Sequence, residues 1–273
     1  MKNLFTAFIE HKEFKTSHPW TVVEQSPSLT LLSPPHYAET VEILLFDNVS
    51  GNAYIGGVHY KLCGKSVLYV APHTVHSFDY SPGNGKILVL KLQPEMLKRF
   101  IDTENLLNEY SLSSGALEVY HSNYDSFYPL VKTLKESEDP STSLCSIISI
   151  IGLLVKGTPK NTDLPIRHNY TESTINGIIT WTEENCSKRI LLDEAAKKFG
   201  YTKNYFCDMF KAKTGISYLQ YLNTLRVSNA CSLLKTGIPV NKVCHMCGFE
   251  TVSYFIKLFK KTIGMTPKQY QLK

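Results

Sequence analysis

The spacing of apolar residues changes part-way along the chain. Up to about residue 92 they fall in short β-rich runs, among them Val41–Phe46, Val67–Val70 and Ile87–Leu92. Turn chemistry separates them: Ser33-Pro34-Pro35, Ser50-Gly51-Asn52, Gly56-Gly57 and Ser81-Pro82-Gly83-Asn84-Gly85. Runs of this kind predict an antiparallel barrel or sandwich. From Pro94 the pattern turns helical, with segments at Glu95–Phe100, Tyr124–Ser137 and Ser141–Lys156. The last sets Leu144, Ile147, Ile148, Ile151, Leu154 and Val155 on a wide apolar stripe, which fits either a homodimer surface or intradomain core. Residues 157–165 are polar and proline-punctuated and predict a linker. Beyond Thr171 the pattern is helix or tight turn: Thr174–Cys186, Leu191–Phe199, Lys203–Lys213, Ser217–Lys235, Val240–Cys247, Thr251–Lys261 and Pro267–Gln271. The expected fold is α+β. A β-rich unit with flanking helices (residues 1–160) is followed by a linker (161–170) and an all-α unit (171–273).

The helical part repeats itself. Tyr205–Tyr221 aligns with Tyr254–Tyr270 at a constant offset of 49, with identical residues at seven positions: Tyr, Phe, Phe, Lys, Gly, Gln and Tyr. Upstream, Gly200-Tyr201 and Gly248-Phe249 match at an offset of 48. Each copy has one physical plan. A short helix ends at a glycine that permits positive φ, and an aromatic then fills the angle. A second helix turns Phe206, Met209 and Phe210, or Phe255, Leu258 and Phe259, inward. The opposite face carries Lys203, Asn204, Cys207, Asp208 and Lys211 in the first copy. In the second it carries Thr251, Val252, Ser253, Ile256, Lys257 and Lys260. Helix pairs of this form, about 191–212 and 239–261, are helix-turn-helix units whose second helix can enter a major groove. The bland alternative is a repeated hairpin without a ligand.

Charge sharpens that choice. Residues 171–273 hold 15 Lys/Arg against 7 Asp/Glu, whereas residues 1–170 hold 14 against 17. A basic module joined to a mildly acidic one suggests that the C-terminal part meets a polyanion. The seven cysteines are odd in number and scattered, and the N-terminus shows no signal-peptide pattern, so a reduced cytoplasm is expected. The most apolar run, Leu144–Val155, is 12 residues, short of the roughly 20 needed to span a bilayer.

The run Val243-x3-Cys247-Gly-Phe249-x4-Tyr254-Phe-x3-Phe259-Lys-Lys-x2-Gly264-Met-Thr-Pro-x2-Tyr270 resembles the signature of AraC/XylS-family transcriptional regulators. Leu192-x2-Ala195-Ala-x3-Gly200-Tyr-x8-Phe210-Lys-x3-Gly215 resembles that family's first helix-turn-helix. Ser232-Leu-Leu-Lys-Thr-Gly237 and Ser253-Tyr-Phe-Ile are similar to the branch that controls virulence genes in enteric bacteria. The resemblance implies an activator that binds double-stranded DNA and works with RNA polymerase, with the helix from Ser217 spacing two recognition helices along one duplex face. It implies base contacts by Asn204, Cys207 and Asp208 in unit one and by Val252, Ser253, Ile256 and Lys257 in unit two, with Lys211 and Lys260 near phosphates. Asp208 departs from the pattern, since an acid there repels phosphate. It either accepts from a cytosine amine or leaves unit one loosely specific.

Gly64-x7-Pro72-His73-x2-His76-x-Phe78 resembles cupin-like sensor domains of such regulators. The branch implies a small anionic effector, a fatty acid or bicarbonate, with His11, Lys12 and Lys235 as cationic candidates. No His-x-His is present, so His59, His73 and His76 are read as barrel-rim histidines, and no metal or cofactor is expected. Cys244-His-Met-Cys247 lacks a second ligand pair and reads as core. No phosphate loop, nucleophile elbow or HExxH motif marks an enzyme. The remaining alternatives are a partner-binding regulator with weakened DNA contact and a metal-cupin enzyme fused to a DNA-binding domain.

Overall fold

A computed structural model describes residues 19–25, 31–81, 83–93, 124–157 and 170–272. The predicted helix at Glu95–Phe100, the candidates His11 and Lys12, and nearly all of the expected linker lie outside the described residues. Six strands precede the helices: β1 (Trp20–Gln25), β2 (Leu31–His36), β3 (Val41–Ile55), β4 (Val58–Val70), β5 (His76–Tyr80) and β6 (Lys86–Leu92). The sheet is antiparallel, in the order β1-β6-β3-β5-β2, with β4 also paired to β3.

The long strand β3 organises this sheet. Its first half, Val41–Asp47, pairs with β6, its second half, Gly51–Ile55, pairs with β5, and Gly56-Gly57 turns it back onto β4. The register slips between Phe46 and Val49, where Asn48 takes a φ of 52°. Such a bulge bends a strand. Leu44 and Phe46 of the first half thereby join Ile55, Phe78 and Tyr80 in one interior cluster. The opposite face of the same half sends Ile43 and Leu45 into a second cluster. There they meet Phe127 of α1 (Tyr124–Glu136) and Ile147 and Leu154 of α2 (Pro140–Gly157). Burial on both faces is why Val41–Phe46, Glu42 apart, reads as an apolar run rather than an alternating one. Intradomain packing thus accounts for Ile147 and Leu154, while Ile148 stays 48% exposed.

Two predicted turns are strand instead. Ser50-Gly51-Asn52 lies inside β3, where a Cβ on Gly51 would collide with the backbone of Asp79 on β5. This glycine serves close strand approach, not reversal. Ser33-Pro34-Pro35 lies inside β2, an edge strand. The prolines offer no N–H to a ladder, and the pairing slips there, from Ser33↔Phe78 to His36↔His76.

Seven helices follow among the described residues: α3 (Tyr170–Asn185), α4 (Leu192–Lys198), α5 (Lys203–Thr214), α6 (Tyr218–Lys235), α7 (Val240–Met246), α8 (Val252–Ile263) and α9 (Pro267–Gln271). Local chemistry sets their ends. α5 stops at left-handed Gly215 and α8 at left-handed Gly264, each N–H bonding back to a lysine carbonyl, Lys211 or Lys260. The Ser217 hydroxyl accepts from the Gln220 N–H to start α6, and Thr266 with Gln269 forms a capping box on α9. Most of the repeated identities are therefore structural: two core phenylalanines, a terminating glycine and a residue of the next helix cap.

Candidate nucleic-acid interface

α6 is the shared spine of the two helix-turn-helix units. Its N-terminal half gives Tyr218, Tyr221, Leu222 and Leu225 to a core with Phe206, Met209 and Phe210 of α5 and Ile175, Ile178 and Ile179 of α3. Its C-terminal half gives Val227, Ala230, Cys231 and Leu234 to a core with Val243 of α7 and Phe255 and Phe259 of α8. Burial around the whole helix, rather than on one stripe, lets one element anchor both units.

The two units are also tied to each other. The Arg226 side chain on α6 donates from Nε to the Cys186 carbonyl and from its terminal amine to the Lys188 carbonyl, both at 2.8 Å. Its guanidinium carbon lies 5.7 Å from the centre of the Phe249 ring of unit two. Asn223 donates to the Tyr254 hydroxyl at 3.0 Å. Neither Arg226 nor Asn223 stands out in the sequence, because each acts through a partner about 30 to 40 residues away.

With the inner faces so committed, α5 and α8 turn their other faces outward. Lys203, Asn204, Asp208 and Lys211 are exposed on the first, with Cys207 half-buried. Thr251, Ser253, Ile256, Lys257 and Lys260 are exposed on the second, with Val252 half-buried. Lys203 is engaged with Asp193 of α4 at 3.3 Å. Lys211, Lys257 and Lys260 form no ion pair with any described residue. Tyr205 and Tyr254, repeat-related tyrosines, are 55% and 48% exposed on the same faces. Their signal was identity in the repeat without an inward position.

The remaining candidates separate. Cys244 and Cys247 are buried in the unit-two core, and burial pushes the Cys247 thiol up to about 12, as expected of core residues rather than ligands. Lys235 is exposed in the last turn of α6, beside unit two. The β-rich half touches unit one instead. The Ser77 hydroxyl donates to the Thr214 carbonyl at 2.9 Å, capping the end of α5. Tyr37 and Thr180 share a 2.9 Å hydroxyl contact, and Asn176 donates to the His73 carbonyl at 3.0 Å. Val75 enters the unit-one core. The three histidines read together do not meet. His59 bonds Asn52 at 2.9 Å, and His73 sits in a turn with a φ of 61°. His76 is buried rather than at a rim, and its neighbours are His36 and Glu42.

Residues 195–273 match a helix-turn-helix domain family. The transcriptional activator RhaS of Escherichia coli is 24% identical over 242 residues, spanning 86% of each chain. The chain carries a helix-turn-helix domain and resembles AraC/XylS-family regulators. Among solved structures, ToxT from Vibrio cholerae is 16% identical, covers 93% of this chain and 97% of that one, and superposes with a TM-score of 0.48. The C-terminal domain of the response regulator yesN from Fusobacterium nucleatum is 33% identical over 36% of this chain and 98% of its own, with a TM-score of 0.35. The matched residues run from the middle of α4 through α9, and so include both α5 and α8. No helix among the described residues is long and apolar enough to cross a membrane.

Proposed function

We propose that the chain is a non-enzymatic transcriptional activator that grips duplex DNA with α5 and α8. The carrying observation is that one buried spine, α6, anchors both helices by their aromatic faces and leaves Lys211, Lys257 and Lys260 exposed on the other. On this reading Lys211 and Lys260 meet phosphates, Asn204, Cys207, Asp208, Val252, Ser253, Ile256 and Lys257 face base edges, and the exposed Tyr205 and Tyr254 flank them. Val252 and Ile256 suit thymine methyls better than bidentate hydrogen bonds. The favoured site is therefore A·T-rich and held largely by charge. Activation through RNA polymerase, and of virulence-type genes, is supported by the sequence motifs, and activation also by the RhaS relatives.

The test is affinity of the full chain for duplex fragments across a salt series. Lys211→Ala and Lys260→Ala should each weaken binding to all sequences alike and lower the salt slope by about 1. Asp208→Asn should strengthen binding by removing a repelled charge. A slope unmoved by both lysine variants rejects this reading.

The effector is read from the resemblance as a small anion, a fatty acid or bicarbonate-like. Lys235→Ala should then abolish the response to it while basal DNA affinity survives. A retained response removes Lys235 from the effector site.

A further inference from the structure

Glu42 is the only Asp, Glu, Lys or Arg buried among the described residues, 2% exposed in an otherwise apolar stretch of β3. Strand pairing explains what surrounds it. Glu42 stands opposite Lys91 of β6, and the two groups approach to 2.6 Å. On the other half of the bent sheet, His36 at the end of β2 stands opposite His76 at the start of β5. The proline bulge in β2 sets that register. The two imidazole rings lie 4.1 Å apart, and His76 Nε2 is 3.1 Å from Glu42 Oε2. One ligand atom from each of His36, Glu42 and His76 falls within 4.8 Å of the other two.

The hydrogen bonds fix which ring atoms face one another. His36 Nδ1 lies 2.9 Å from the Pro34 carbonyl, and His76 Nδ1 lies 2.9 Å from the Thr74 carbonyl. A carbonyl only accepts, so each Nδ1 carries a proton, and in a neutral ring the Nε2 of His76 keeps its lone pair. At His76 that lone pair points at a carboxylate oxygen, acceptor against acceptor, with both side chains at most 3% exposed. A proton on His76 Nε2, or a cation between the two atoms, relieves such a contact. A cavity of about 20 Å³ bounded by His36 and Glu42 adjoins them, room for one small occupant. The carboxylate in its wall disfavours an anion there.

We propose that His36, His76 and Glu42 form a binding site for one divalent first-row transition-metal ion, zinc or iron(II) by ligand class, inside the β-rich half. Two imidazoles and a carboxylate make a set that leaves open positions for water or a small ligand. The carbonyls of Pro34 and Thr74 supply the outer hydrogen bonds that fix ligand tautomer and orientation. Metal–ligand bonds of about 2.0–2.2 Å need ligand separations of roughly 3–3.5 Å. The His76–Glu42 pair already has that spacing, and closing on the ion requires only that His36 move inward. Glu42 Oε1 remains with Lys91, which orients the carboxylate. This revises the expectation of a metal-free half. The site adjoins Tyr37 and Ser77, the residues that hold α3 and α5.

The experiment titrates the metal-stripped full chain with cobalt(II) as a spectroscopic stand-in for zinc. Melting temperature is followed in parallel. One saturable equivalent is expected, with d–d absorption, no thiolate charge-transfer band, and a raised melting temperature. Glu42→Gln and His36→Gln should each weaken binding at least tenfold. His36→Gln leaves the Glu42–His76–Lys91 contacts in place, so its metal-free melting temperature reports whether the fold survives. Absence of saturable binding in the wild-type chain overturns the proposal, because a proton on His76 then suffices. So does binding that persists in both variants or shows a thiolate band, which would assign the ion to cysteines. None of these readouts depends on DNA.

Discussion

The two helix-turn-helix units share one sequence plan but have unequal surroundings. Unit one is held from outside the helical region. Ser77 caps α5, Val75 enters its core, and the terminating Gly215 abuts the ring of Tyr54, where any Cβ would collide. Its counterpart Gly264 has the same left-handed conformation, φ 82° against 79°, but a Cβ there meets nothing within 4 Å. Unit two is held from within, by Arg226 against Phe249 and by the capping box on α9. Duplication preserved the local instructions, and the environment then divided the roles. A conformational change in the β-rich half would therefore reach α5 before α8.

Four substitutions probe this asymmetry, in order of expected effect. Arg226→Ala removes two charge-assisted hydrogen bonds to carbonyls and the stacking on Phe249. It should cost about 3 kcal/mol in chemical denaturation and loosen the two units from each other. A loss under 1 kcal/mol would mean that α6 alone couples them. Gly215→Ala and Gly264→Ala carry the same backbone penalty of about 1 kcal/mol. Gly215→Ala must also displace Tyr54, so it should cost about 1–2 kcal/mol more. Equal losses would show that the contact with Tyr54 is not maintained in solution. Ser77→Ala should cost about 1 kcal/mol by orphaning the Thr214 carbonyl. Amide exchange should then quicken near the end of α5 and not at the end of α8. Uniform quickening would contradict a clamp specific to unit one.

Much of the helical region was legible in the chain because its rules are local. The repeat at an offset of 49, the glycines that end α5 and α8, and the inward phenylalanines gave helix limits within a few residues of those observed. The strands were harder. Gly51 and the Ser33-Pro34-Pro35 run carry turn chemistry, yet one accommodates a neighbouring strand and the other forms an edge bulge. The exposed lysines of the interface were legible from the repeat, whereas Arg226 was not, since its partners lie outside any helical spacing.

The sequence by itself determined the two helical pairs, their termini and their cationic outer faces, because capping, periodicity and charge act within a few residues of chain. Only the tertiary structure decided that His36, Glu42 and His76 meet, and that Ser77 reaches Thr214 across 137 residues. Those encounters depend on which strands pair and where a bulge shifts the register, and shifting a strand by one residue turns every side chain to the other face.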